Sequence, residues 1–185
     1  MAIVVVGGSG RGVGKTALVC GLIAALPEFN WTAIKITGHD HGQPKPVWEE
    51  TQPGQGTDTA RFLAAGARRA LLVTAEPEEF AQSVRRFLQP FLEEQQNLII
   101  ESNSTLRLLR PDLCLAVEDG PETAHKASFG LVMERADALV RLAGQDEKVE
   151  GARPLFHLAA MERISPEMLR WLRGKLQSSL VHEQC

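Results

Sequence analysis

The chain alternates short, wholly apolar runs with longer stretches of helical periodicity. Ile3-Val4-Val5-Val6 is β-branched and has no polar alternation, the pattern of a strand buried on both faces of a parallel sheet. Leu18, Val19, Leu22, Ile23 and Leu26 then recur three and four apart. They predict a helix from 15 to about 26 that Pro27 ends. The same alternation continues, with strands predicted at 31–36, 69–73, 97–101, 112–117, within 134–141, and at 154–158. Between them, Thr57 caps a helix that has Asp58 in its first turn and Gly66 at its end. A helix over 77 to about 94 gathers Phe80, Val84, Phe87, Leu88, Phe91 and Leu92 on one face, most simply as core against the sheet. Ser165-Pro166-Glu167 opens a closing helix that buries Met168, Leu169, Leu172, Leu176 and Leu180. The exception is 37–57, rich in glycine and proline. It reads as an irregular loop or hairpin insertion, with a small hairpin around Val47-Trp48.

Strands alternating with helices predict an α/β fold: one domain over 1–185, three layers, a mainly parallel sheet flanked by helices. In such sheets ligands sit outside the carboxyl ends of the strands. Residues 7–16, 35–41, 101–104 and 118–120 are therefore expected on one rim.

The first of these stretches reads GGSGRGVGKT. A glycine-rich turn between a β run and a helix, closing on Gly14-Lys15-Thr16, is the setting of a phosphate-binding P-loop. Backbone N–H groups of Gly8, Ser9, Gly10, Arg11, Gly12, Val13, Gly14 and Ala17 would surround phosphate oxygens at the positive end of the helix dipole. Lys15 would reach the β/γ-phosphates and Thr16 would place its hydroxyl on Mg²⁺. The pattern G-x-x-x-x-G-K-[ST] puts its first glycine at 9, where this chain has Ser9 between Gly8 and Gly10. These readings make the fold a three-layer P-loop NTPase.

A triphosphate site also needs an acid at a strand end to hold Mg²⁺ directly or through water. Leu98-Ile99-Ile100 runs straight into Glu101, so Thr16 and Glu101 are the metal candidates, and Lys15 and Glu101 the catalytic ones. A solvated strand-end acid is the plainer alternative for Glu101. Asp58 is a second candidate acid, or a first-turn acid that only complements its helix dipole. Lys35 interrupts an apolar strand and is costly to bury alone. Its ammonium either reaches the rim, to pair with phosphate or a substrate carboxylate, or lies on a partly exposed face. His39-Asp40-His41 suits phosphate, substrate or metal contact by His39 and His41, or a plain polar loop. No fourth ligand completes a zinc geometry. Arg11 suits a phosphate contact, an arginine finger across a dimer, or solvent. The sequence holds no Asn-Lys-x-Asp motif for guanine, so the base is not written in it.

Composition narrows the partners. Across 185 residues the chain is 44% hydrophobic and carries a formal charge of −3. It therefore has a core but no basic footprint for nucleic acid. Cys20, Cys114 and Cys185 are few and far apart, as in reduced cytoplasmic proteins. Neither a signal peptide nor a membrane-spanning run is expected.

The chain resembles the MobB family, nucleotide-binding adaptors of molybdopterin guanine dinucleotide synthesis. Three blocks carry the likeness: the P-loop over 8–16, Lys35 followed by His39-Asp40-His41, and Pro53-Gly54 with Asp58, Arg61 and Ala65-Gly66-Ala67. In the family the strand-end acid is followed by glycine. Here Glu101 precedes Ser102-Asn103-Ser104. The resemblance implies GTP binding with Mg²⁺, weak hydrolysis and a homodimer. It also implies partnership with the molybdopterin nucleotidyltransferase and its molybdopterin substrate. A second resemblance, to ATP-dependent enzymes like dethiobiotin synthetase, rests on Gly8, on 13–16 and on Lys35 with Thr37-Gly38. There Lys35 and Thr37 would hold a carboxylate or carbamate, and ATP would supply the phosphoryl group.

Overall fold

The computed structural model describes residues 1–38, 46–118, 128–143 and 153–182, with the side chains of 178–182 left out. Strands Ile3–Gly8 (β1), Thr32–Thr37 (β2), Val47–Glu50 (β3), Arg69–Thr74 (β4), Leu98–Glu101 (β5), Leu113–Val117 (β6), Ala138–Leu142 (β7) and Leu155–Leu158 (β8) form one sheet. Its order is β3-β4-β2-β5-β1-β6-β7-β8. Every pairing is parallel except β3 with β4. Among the described residues the α-helices are Lys15–Ala25 (α1), Asp58–Ala64 (α2), Phe80–Glu93 (α3), Phe129–Arg135 (α4) and Pro166–His182 (α5).

β1 shows why the apolar runs are unbroken. It is fully buried, and its side chains alternate between two cores. Val4 and Val6 face a cluster that includes Leu18 and Leu22 of α1, Phe62 of α2, and Met168 and Leu172 of α5. Ile3 and Val5 face a cluster that includes Val84 and Leu88 of α3 and Phe129 and Val132 of α4. A strand covered on both faces has no position at which a polar side chain is solvated. The expected three-layer P-loop NTPase fold is thus present.

Local signals landed close to their elements. Thr57 accepts from the Ala60 N–H at 3.1 Å and caps α2, and Gly66, with φ 104°, follows that helix. Two expectations change. Among the described residues, Val47 and Trp48 pair with no local partner. They belong to β3, which pairs antiparallel with β4 so that Val47 faces Val73 and Glu50 faces Ala70. The paired residues are 20 to 26 positions apart, beyond the reach of any turn signal. The helix expected from 77 begins at Phe80, where the apolar periodicity begins.

Candidate functional site

Because β1, β2, β5 and β6 run parallel, their carboxyl ends lie at one edge. A cleft of about 880 Å³ opens there, within the usual size of a small-molecule site. One wall is the P-loop: Gly8, Gly10, Arg11, Gly12, Gly14, Lys15, Thr16 and Ala17 all line it. Lys35 from β2, Asp58 from α2 and Glu101 from β5 form the facing wall. Ser9 and Val13 do not line the cleft. Ser9 is buried, its N–H donating to the Val117 carbonyl at 2.9 Å. Its side chain turns into the interior, where its Oγ is buried without a hydrogen-bond partner among the described residues. Val13 is half-buried and packs against the core. His39 and His41 lie outside the described residues.

The loop is built to receive an anion. Gly14 precedes α1 with φ 99°, a conformation in which L side chains are strained. A Cβ there would also meet Met161 Cγ at 2.6 Å. No side chain caps α1 and no acid sits in its first turn. The N–H groups that open the helix are therefore aimed at the cleft without a local carboxylate to occupy them. The Lys15 ammonium donates to the Gly10 carbonyl at 2.5 Å, which folds the lysine back over the loop.

Opposite the loop lies a charge cluster. The Thr16 hydroxyl donates to Glu101 Oε2 at 2.7 Å. The Lys35 ammonium donates to Glu101 Oε1 at 3.2 Å and to Asp58 Oδ2. Each carboxylate oxygen of Glu101 therefore serves a different partner, one from the P-loop and one from the neighbouring strand. Register explains the second contact: β2 and β5 pair so that Lys35 faces Glu101. Burial on its own would lower the Lys35 pKa, but the charges and hydrogen bonds of Glu101 and Asp58 outweigh it and hold it above its ordinary value. Burial would raise Asp58, but Lys35, with Thr16 and Arg61, holds its carboxyl below the usual range. Both groups are ionised across the neutral range.

Lys35 is thus a rim residue and Asp58 more than a dipole acid. Two carboxylates and a hydroxyl converge, all hard oxygen donors suited to Mg²⁺. Glu101 and Thr16 already touch, so the donor set fits that ion. Burial, with the nearby carboxylates, pushes the Cys20 thiol up to about 11.

The fourth expected rim stretch is different. Glu118 is buried and accepts from Arg141 of β7, Nε at 2.7 Å and Nη2 at 2.5 Å. It does not line the cleft, and Gly120 lies outside the described residues. Arg61, Asn103 and Ser128 also line the cleft; sequence reading placed Asn103 in the 101–104 rim stretch without a role of its own and did not single out Arg61 or Ser128 as site residues. Arg61 belonged to the third resemblance block, and Asn103 stands two positions after Glu101. Ser128 gave no signal, since only the fold brings it near β1.

No family model matches the chain, and no curated protein sequence matches it. Solved structures do. A MobB protein homolog from Bacillus stearothermophilus superposes with TM-score 0.53 at 16% identity, covering 96% of this chain and 99% of that one. HypB from Helicobacter pylori, solved in complex with nickel, gives 0.54 at 16%, covering 97% and 87%. LpxK from Aquifex aeolicus, in complex with ATP, gives 0.55 at 19% over 85% of this chain, but this chain spans only about half of LpxK (53%). At these identities the likeness is one of fold.

Proposed function

We propose that the chain binds a nucleoside triphosphate, GTP by its resemblance to MobB, together with Mg²⁺, and hydrolyses it slowly. The observation that carries the reading is the Thr16–Glu101 contact at 2.7 Å. It joins the hydroxyl that ends the phosphate loop to the acid that ends the adjacent strand, the pair that a Mg²⁺–triphosphate site requires. The loop amides and Lys15 hold the phosphates. Thr16 and Glu101, with Asp58 beside them, hold the metal, which supplies charge neutralisation at the phosphate oxygens. Lys35 keeps the two acids together against their mutual repulsion. Arg11 lies at the cleft mouth, exposed, in reach of phosphate.

The role that fits is the MobB adaptor role, a dimer serving a molybdopterin nucleotidyltransferase in the cytoplasm. No described helix is long and apolar enough to cross a membrane. A second reading is favoured by one feature: Lys35, Thr37 and Gly38 line the same cleft as the P-loop. That arrangement suits an ATP-dependent enzyme of the dethiobiotin synthetase type, with Lys35 and Thr37 on a carboxylate or carbamate.

Calorimetry with ATP and GTP, with and without Mg²⁺, tests the nucleotide reading; absence of triphosphate binding by the intact chain removes it. Product analysis then separates the roles. GTP preference with negligible turnover supports the adaptor. ADP formed only when diaminopelargonate and CO₂ are added supports the synthetase.

A further inference from the structure

The side chain of Asn103 makes contacts that the nucleotide reading leaves unused. Its Oδ1 accepts from the Gly8 N–H at 2.9 Å and its Nδ2 donates to the Gly8 carbonyl at 3.0 Å. One amide thereby takes both polar groups of a single residue, the residue at which β1 becomes the phosphate loop. The same Nδ2 donates to Ser128 Oγ at 3.2 Å. Ser128 stands immediately before α4. Asn103 itself follows Glu101 by two positions, on the turn that leaves β5. One side chain therefore ties together the phosphate loop, the end of the acid-bearing strand and the start of α4.

The surroundings leave room for little else. A Cβ at Gly7 would lie 2.6 Å from both Val132 methyls and 3.1 Å from Asn103 Oδ1. The backbone of β1 thus comes this close to α4 and to Asn103 because residue 7 has no side chain. At Gly8 a Cβ would lie 2.9 Å from Lys15 Cγ and Cδ. The aliphatic stem of Lys15 rests on the Cα of the residue whose polar groups Asn103 holds.

We infer that Asn103 is a positioning residue for nucleotide binding: by fixing both polar groups of Gly8, it sets the backbone on which the stem of Lys15 lies and hence the reach of its ammonium to phosphate. Asparagine suits this task because its amide presents one acceptor and donors in a fixed plane, matching the two backbone groups of Gly8. Leucine lacks both groups and aspartate lacks the donor. The inference rests on the nucleotide reading above, and the test keeps the two apart.

The experiment compares the intact chain with Asn103→Ala. It uses calorimetric titration with Mg²⁺–GTP and Mg²⁺–ATP, and hydrogen exchange of the nucleotide-free protein. Loss of two backbone contacts at the loop is expected to weaken triphosphate binding about tenfold. Exchange should quicken in peptides covering 7–16 and the start of α4, and stay unchanged in β4, α3 and α5. A merely structural asparagine would quicken exchange across the sheet or lower the melting temperature with affinity intact; either result overturns the inference. So does wild-type affinity with an unchanged loop. Should Asn103→Ala fail to fold, Asn103→Thr keeps most of the bulk and one hydroxyl. It is read in the same way, and equal affinity in that variant overturns the inference. If the intact chain binds neither triphosphate, the nucleotide reading falls first, and the exchange pattern still reports whether Asn103 holds the loop.

Discussion

Two charge clusters stand at the same edge of the same sheet, and they are built differently. On one side of β1, Lys35, Asp58, Glu101 and Thr16 form a cluster open to the cleft. The Lys35 and Asp58 side chains keep 18% and 34% of their exposure. On the other side, Glu118 and Arg141 are sealed, with side chains 6% and 3% exposed. In the open cluster the two oxygens of Glu101 serve two different partners, and one partner comes from the phosphate loop. In the sealed cluster one oxygen of Glu118 takes two nitrogens of one guanidinium. An acid whose contacts come from separate elements around a cleft can exchange one of them for a ligand. An acid locked to one buried guanidinium can exchange nothing without leaving a charge in a low-dielectric interior. Sequence position alone made Glu101 and Glu118 look alike, since both end apolar strands.

The largest effect is expected at Lys15. Lys15→Ala should abolish calorimetric triphosphate binding, a loss of about a hundredfold or more, with the melting temperature of the free protein little changed. Binding within a few-fold of wild type would disconnect the open cluster from phosphate altogether.

Next comes the sealed pair. Glu118→Leu removes the carboxylate that the buried Arg141 guanidinium donates to and should lower stability in denaturant unfolding. Triphosphate affinity of the folded protein should hold. The double variant Glu118→Leu with Arg141→Met should recover most of that loss, since apolar replacement of both partners is close to neutral. A single variant that weakens nucleotide binding while leaving stability intact would move Glu118 into the functional group.

Glu101→Gln keeps the shape and the contact with the Thr16 hydroxyl but removes the charge. Hydrolysis and the Mg²⁺ dependence of binding should suffer, by about tenfold to a hundredfold for an acid supporting metal and phosphate charge. Metal-free nucleotide affinity should change little. Equal Mg²⁺ dependence in variant and wild type would reduce Glu101 to a structural acid.

The smallest effect concerns pH. The Asp58 pKa is depressed in the folded protein, so its contribution is present above the ordinary aspartate value. It is lost as pH falls through the folded value, below about pH 4. The Lys35 pKa is raised, so its contribution is full below the ordinary lysine value and fades as pH climbs through the folded one, above about pH 10. Both groups are partly exposed, so the swing is modest. Asp58→Asn should flatten the acid limb of melting temperature against pH by about 1–3 °C. Melts at steps from pH 3 to pH 7 would show it. An unaltered acid limb would mean that Lys35 is balanced by Glu101 alone.

Much of this molecule was legible without its fold. β-branched runs marked buried parallel strands because two covered faces leave no place for polar alternation. Leu18, Val19, Leu22 and Ile23 marked α1 by spacing, Thr57 and Gly66 bracketed α2, and the order of glycines around Lys15 and Thr16 marked the phosphate loop. All of these are local: they follow from backbone geometry and periodicity within a few residues. The α/β class, the glycine-rich loop and the acids that merited attention therefore follow from local signals. What those signals left open was always a pairing at distance. β3 found β4, not a near neighbour. Glu101 met Thr16 from 85 positions away, Asn103 met Gly8 from 95, and Glu118 was drawn inward by Arg141. These pairings depend on the fold, because strand order and parallel register set which residues reach the same height at the same edge. The partners then set whether a charge faces the cleft or a single side chain, for Glu101 and Glu118 are equally buried, each 5% exposed.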